Sequence, residues 1–565
     1  MRVATNESKT TGLDIACAYR NARMCTGRHL PVNFLSVAPR RPPHLDIMRA
    51  LLLAAFFTSL FSSCQTAPST AGEAIEAPAE SWAPFVEDNL RAAGGNRGEL
   101  ETALRHFRDG GDAQKLEAIQ FLIANMEGQG YSEIVLVATD GTQLDYNSLD
   151  YANYDEAQKV LDDLEVAHGG VDFKAVRFEK DLEVITADLL IENVDLAFDA
   201  YRNNPWSQNL SFGAFLEHVL PYRGSNEPLE SWRPLVLARS ASIQAELADE
   251  SDARTAAVQI NREATRWLGF DTIFYMHPTD MGYGEMVQRG KGRCEDITNM
   301  QTYASRANSL ASAADYTPYW ADRDNNHAWN VNLDANGEGN AGLSARAAKV
   351  YRKMFSLQRD CLAFDLAEGE EAPHWLDRKH HIDVTSQYKD VAEVNLNFTV
   401  PAPANSTHAY LAVFNSGVWN AIAWAPLKEG AASFQDMGLD IGYLPAYFSG
   451  GKLVPAAAPF FLDTSGEMHP YAGSSGLVVA QLSATARNTM EFQEDGSLRS
   501  RLVVGENYEL FEWRNGDWNS LAKIKATETP IRAELAADGL YWLVQDGSRR
   551  LERPFMLRDG TQIWM

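Results

Sequence analysis

Cysteine is scarce: the 565-residue chain holds five. Cys17 and Cys25 lie in the N-terminal stretch and Cys64 closes an apolar run, which leaves Cys294 and Cys361 in the body. Two thiols are no disulfide framework, although a single Cys294–Cys361 bridge stays open. CxxC pairs, HExxH and His-rich helices are missing, which removes the usual zinc patterns. His374, His380, His381 and Asp383 could bind a metal, but a solvated turn before a strand accounts for them, and no metal or cofactor is assigned. Basic charge is short as well, with 50 Lys+Arg against 76 Asp+Glu and a net charge of −26. So acidic a chain repels phosphate backbones, which excludes nucleic acid as the expected partner. Gly 39 and Pro 23 are too few for a collagen-like or low-complexity chain. What is present is 45% hydrophobic residues with Trp 13, Tyr 20 and Phe 25. That composition builds several cores, and the length allows about three or four domains.

The N-terminal region divides by composition. Residues 48–64 read MRALLLAAFFTSLFSSC, with Arg49 ahead of the apolar run and Ser62-Ser63 before Cys64. The run is about 14 residues, shorter than the ~20 a spanning helix needs, and has the layout of a secretory signal. Its Phe-Ser-Ser-Cys ending resembles the lipobox of bacterial lipoproteins, which implies cleavage before Cys64 and lipidation of its thiol. We expect translation to start at Met48 and regard 1–47 as a doubtful extension. Residues 65–81, rich in Pro, Ala, Ser and Glu, read as a tether. The expected setting is the cell envelope, with membrane contact only through the N-terminal lipid.

Residues 82–240 predict a mainly helical domain. Phe85, Leu90, Leu100, Leu104 and Phe107 recur near helical spacing, as do Leu116, Ile119, Leu122 and Ile123, with a β-like interruption at Ile134–Ala138. Residues 241–365 form the next unit, opening with a helix at 252–268. From 381 the pattern turns to short alternating runs split by Gly, Pro, Asn and Asp. Val391–Val400, Ala409–Phe414 and Ser433–Met437 predict a β-sandwich over 381–480. Arg501–Val504, Tyr508–Trp513 and Leu540–Val544 predict a small β domain over 490–565. The fold class expected is multidomain α+β.

The chemistry concentrates in two segments. Gly290-Lys291-Gly292-Arg293-Cys294-Glu295-Asp296 leads into a helix whose buried stripe is Ile297, Met300, Ala304, Ala307 and Leu310. That places Cys294 at a helix N-terminus, where the dipole stabilises a thiolate, while Glu295 and Asp296 oppose it. His327-Ala328-Trp329-Asn330-Val331 alternates like a strand, with His327, Trp329, Val331 and Leu333 on one face. A histidine on a face turned toward the helix can take the thiol proton and return it to a leaving group.

Gly292-Arg293-Cys294-Glu295-Asp296 followed by His327-Ala328-Trp329-Asn330-Val331 resembles the transglutaminase-like core, most strongly over 285–335. More loosely, Leu220-Pro221-Tyr222-Arg223, Trp232-Arg233 and Val350-Tyr351-Arg352-Lys353 resemble secreted bacterial members with β-rich C-terminal regions. The resemblance implies a papain-like fold with Cys294 as nucleophile and His327 as its base. It also implies an orienting Asp within 335–348, yet that stretch reads ANGEGNAGLSARAA. A turn at Asn336-Gly337 would set Gly342 to Arg346 opposite His327, and none of these is a carboxylate. Asp334 lies about 23 Å along an extended strand and on the other face; Glu338, Asp322, Asp324 and Asp383 are the alternatives. The backbone N–H of Cys294 is the natural oxyanion donor, and Gln288 has the spacing of a papain-like side-chain donor. Tyr316, Tyr319 and Trp320 line a cleft or fill a core.

Two functions follow. One is a Cys-His acyl-transfer enzyme acting on a protein, peptide or cell-wall amide, with hydrolysis preferred to transfer onto an amine. The other is a catalytically inactive surface protein that binds protein or glycan through its β domains, where Trp419, Trp424, Trp513 and Trp518 would stack on sugar rings or pack as core.

Overall fold

The computed structural model describes residues 82–565 apart from 278, 344, 472, 474, 475, 487–500 and 549. Residues 1–81, with the expected extension, signal and tether and with Cys64, lie outside the described residues. The chain is a mixed α+β protein, with a helical N-terminal half and a β-rich C-terminal region that includes a curled half-barrel sheet.

The helices begin where polar caps permit. Asp112, Asn153, Thr186, Ser211 and Asp252 each accept a backbone N–H of the first turn that follows. Helices Pro84–Ala92, Arg97–Gly110 and Ala113–Ala124 bury the apolar faces that the periodicity predicted, and Ala187–Asn203 shares their core. Leu90, Leu100, Leu104, Ile119, Leu122 and Phe198 are all buried, although Phe85 is exposed. This core does not close at residue 240. Ala311, Ala313, Val331 and Leu333 of the next unit belong to it. A second core joins helices Arg233–Glu246 and Ala253–Thr265 to the helix that carries Cys294.

The strand foreseen at Ile134–Ala138 runs Gly130–Ala138 and pairs antiparallel with Val171–Lys180, a strand the sequence pattern did not single out. The register slips between Glu133 and Ile134, whose partners are Arg177 and Ala175. Val176 is the extra residue there, and it interrupts the alternation of its strand.

The β-rich region starts as expected, with strands Val391–Asn397, His408–Asn415 and Ala431–Gly438. One sheet is built around His408–Asn415 and Ile441–Ser449, and Val391–Asn397 pairs separately with Ala431–Gly438. Leu411, Val413, Ile422, Phe434 and Tyr443 fill the core that they share. A seven-stranded sheet follows. Leu477–Leu482 belongs to it, through antiparallel pairing with Ile531–Ala536. Arg501–Val504 forms no strand, although Arg501 bridges to Ala484.

The tryptophans join the two β units. Trp419 lies 5.7 Å from Trp513, Trp513 5.2 Å from Trp518, and Trp518 5.4 Å from Trp542, between ring centres. Phe414 closes the cluster at 5.3 Å from Trp542. Trp419, Trp513 and Trp518 are therefore packing residues. Trp424 sits 5.4 Å from the His408 ring instead.

Candidate active site

Gly290 ends the helix Tyr283–Arg289 in a left-handed conformation (φ +63°) that an L side chain adopts at a cost. Lys291–Gly292 then pairs with Gly269–Phe270 and enters the helix Cys294–Ala307. A Cβ on Gly292 would stand 2.7 Å from the Asp296 Cβ, so the close turn excludes any larger residue. Asp296 makes the entry possible by accepting the backbone N–H groups of Arg293 at 2.8 Å and Met281 at 3.3 Å. Burial pushes its carboxyl up to about 6, against the pull of Arg293. The Arg293 guanidinium donates to the His277 carbonyl at 2.8 Å and to Asp280 at 2.5 Å. Burial works against its charge, but Asp280, Asp296 and Glu295 outweigh that and keep it charged.

Cys294 is the first residue of this helix, half-buried and in no disulfide. Cys361 is also unbridged, and burial raises its thiol. Met300, Ala304, Ala307 and Leu310 are buried as the stripe required, and Thr298, Asn299, Thr302, Tyr303 and Ser305 are buried too. The helix is thus enclosed on more than one side and leaves its first turn half open. Three arginines from the loosely matching segments clamp this scaffold. Arg223 binds Asp181, Arg233 donates to the Arg306 carbonyl at 2.7 Å, and Arg352 binds Asp315.

Glu295, next to the thiol, does not stand as a free negative charge. Lys353 Nζ is ion-paired with it and also donates to Ser225 Oγ at 2.6 Å. Lys353 comes from the strand Tyr351–Lys353, two strands over from His327. The sequence offered no local signal for this pair, because 58 residues separate its members.

The sheet against the helix runs His327–Asn332, Ser312–Thr317, Tyr351–Lys353 and His381–Asp383. Thr298, one turn beyond Cys294, donates to the Ala328 carbonyl at 3.3 Å, which sets the first turn of the helix against the start of the histidine strand. Asn330 reaches Thr302 at 3.1 Å, and Ser305 donates to Asn332 at 3.3 Å. The strand therefore turns Ala328, Asn330 and Asn332 toward the helix. His327 and Trp329 alternate to the other side, their rings 5.5 Å apart, with Trp320 6.0 Å from His327. Burial lowers the His327 imidazole below its usual value; Glu295 pulls it back up and Arg323 pushes it down.

No carboxylate hydrogen-bonds the His327 ring among the described residues. His327 pairs in register with Thr317, and Gly342, Leu343, Ala345 and Arg346 lie in no strand. Arg346 donates its backbone N–H to Asp322 at 3.3 Å, its carbonyl accepts from Ala321, and Ala347 bridges to Trp320. Asp322 is held by Arg323 at 2.9 Å, Asp324 by the Ser416 N–H at 2.7 Å, and Asp383 by Lys349. Asp334 caps its own turn, accepting from Asn336 N–H at 2.8 Å, and Glu338 is exposed. The carboxylate nearest in register is Asp315, opposite Trp329, but Arg352 holds it at 2.8 and 2.9 Å and Tyr388 at 2.7 Å.

Gln288 is exposed near the end of its helix, and its side chain makes no hydrogen bond among the described residues. Tyr316 and Trp320 are buried and Tyr319 half-buried; Tyr316 bonds the His381 ring at 2.7 Å. His380 lies 2.9 Å from the Phe355 carbonyl and 2.7 Å from that of Glu127, so His380, His381 and Asp383 point to different partners.

No family profile matches this chain, and no curated protein matches it. Two solved structures resemble it distantly. A candidate cysteine protease from Cytophaga hutchinsonii is 9% identical over 40% of this chain, with a TM-score of 0.15. The match spans 53% of that protein, about half its length. Red sea bream transglutaminase is 9% identical over 66% of this chain and 73% of its own, with a TM-score of 0.18. At these scores the two likenesses assign neither fold nor activity.

Proposed function

We propose that this protein is a cysteine acyl-transfer enzyme of transglutaminase-like, papain-like type, held in the cell envelope by a lipid on Cys64. Its thiol attacks an amide or peptide carbonyl, an amine leaves, and water resolves the thioester. The observation that carries this reading is the setting of Cys294. The residue is half-open at the start of an enclosed helix, and its acidic neighbour Glu295 is neutralised by Lys353. The dipole then acts on the thiol with less opposition. His327 serves as base around the end of its strand rather than through the sheet, and burial, which lowers its imidazole, favours the neutral form a base needs.

One observation favours a second reading, an inactive binding protein with β-sandwich domains. His327 turns toward Trp320 and Trp329 and lacks an orienting carboxylate. Intact-mass analysis with p-nitrophenyl acetate separates the two. The enzyme acylates on Cys294, loses the acyl group to water and does neither as Cys294→Ser. A protein that gains no acyl group on Cys294 is the binding protein.

A further inference from the structure

A cleft of about 580 Å³ lies between the Gly130–Ala138 hairpin strand and the segment leading to the cysteine helix. That size is in the range of small-molecule sites. Cys294 is not among its lining residues, so the cleft is separate from the thiol. Its floor is apolar, from Ile134, Leu136, Leu144, Phe173 and Met276.

The polar groups around that floor are unevenly used. Ser148 is buried (1% exposed), lines the cleft, and its Oγ has no hydrogen-bond partner. A buried hydroxyl without a partner carries a desolvation cost that a ligand relieves. Asp145 is exposed at the cleft and makes no hydrogen bond or ion pair among the described residues. Glu285 gives one oxygen to Arg289 at 2.7 Å and leaves the other open. The rim thus holds two carboxylates against one guanidinium. Burial lowers the His277 imidazole below its usual value, Glu285 notwithstanding, which disfavours a positive charge there.

We infer that this cleft binds a small organic monocation, with its apolar body on the Leu144–Phe173–Met276 floor and its charged N–H donors on Asp145, Glu285 and Ser148. An anion meets excess negative charge, and a neutral apolar molecule leaves the carboxylates and Ser148 Oγ unmatched. The inference goes beyond the acyl-transfer reading and does not depend on it.

Calorimetric titration of the full chain with n-butylammonium, and separately with n-butanol, tests it. The expected result is one saturable site for the cation and binding of the alcohol weaker by about tenfold or more, as for loss of a charge-assisted hydrogen bond. Asp145→Asn and Ser148→Ala each weaken the cation several-fold. Glu246→Gln, which makes the same change in charge outside the cleft, leaves the affinity as it was. Butanol binding as tightly as butylammonium, no saturable heat, or equal losses in Asp145→Asn and Glu246→Gln each overturn the inference.

Discussion

Lys353 and Glu295 form an ion pair one residue from Cys294, and the Ser225 hydroxyl bonds the same ammonium at 2.6 Å. The pair brings a distant strand to the start of the cysteine helix and offsets the negative charge of Glu295 beside the thiol. Lys353→Met leaves Glu295 unpaired there. The apparent pKa of Cys294 then rises by about one pH unit. The rate of iodoacetamide alkylation against pH reads this directly, and an unchanged profile removes Lys353 from the account.

Asp296 gives the scaffold a pH dependence of known sign. Its folded value of about 6 lies above the ordinary carboxylate value, so protonation favours the folded state. The stability from this group is present below about pH 4 and is lost as pH rises through about 6, on the order of 3 kcal/mol. Asp296→Asn carries no such titration. Urea midpoints measured from pH 4 to 7 should show the native protein falling relative to the variant.

The buried Arg352–Asp315 pair is a structural clamp rather than a catalytic one. Arg352→Met strands a carboxylate that is 0% exposed and costs about 3–5 kcal/mol. Arg352→Met with Asp315→Leu recovers much of that. Denaturant unfolding of the single and double variants checks it, and equal losses in both would point to packing alone.

The junction of the two β units rests on aromatic rings. Trp542 is 3% exposed and donates to the Glu552 carbonyl at 2.7 Å. Trp542→Ala should cost about 3–5 kcal/mol and separate the unfolding of the C-terminal sheet from that of its neighbour. Calorimetric scans would show this as a second transition.

The helices with strong apolar spacing were legible in sequence, as were the cysteine at a helix start and the histidine at a strand start. Local chemistry fixes each of these, through Asp112 and Asp252 as caps and Gly290 as a helix stop. Val171–Lys180 was not legible, because the bulge at Val176 breaks the two-residue period. The place of Leu477–Leu482 was hidden too, since its partner Ile531–Ala536 lies far along the chain. The face His327 takes is a property of the sheet. Only the contacts of Asn330 and Asn332 with the helix reveal that the alternate residues turn away from it. Trp419, Trp424, Trp513 and Trp518 carried no sign of their neighbours in sequence; Trp419, Trp513 and Trp518 lie at the joint between the sheets.

The proposed enzyme depends on a Cys294 thiol activated with His327 as its base. The direct test is alkylation of Cys294 against pH, followed by peptide mass, in the native protein and in His327→Ala. An activated pair gives an apparent pKa well below the free-thiol value of ~8.5, and a return toward that value in the variant. A thiol that titrates near ~8.5 in both proteins contradicts it and leaves a binding protein on this scaffold.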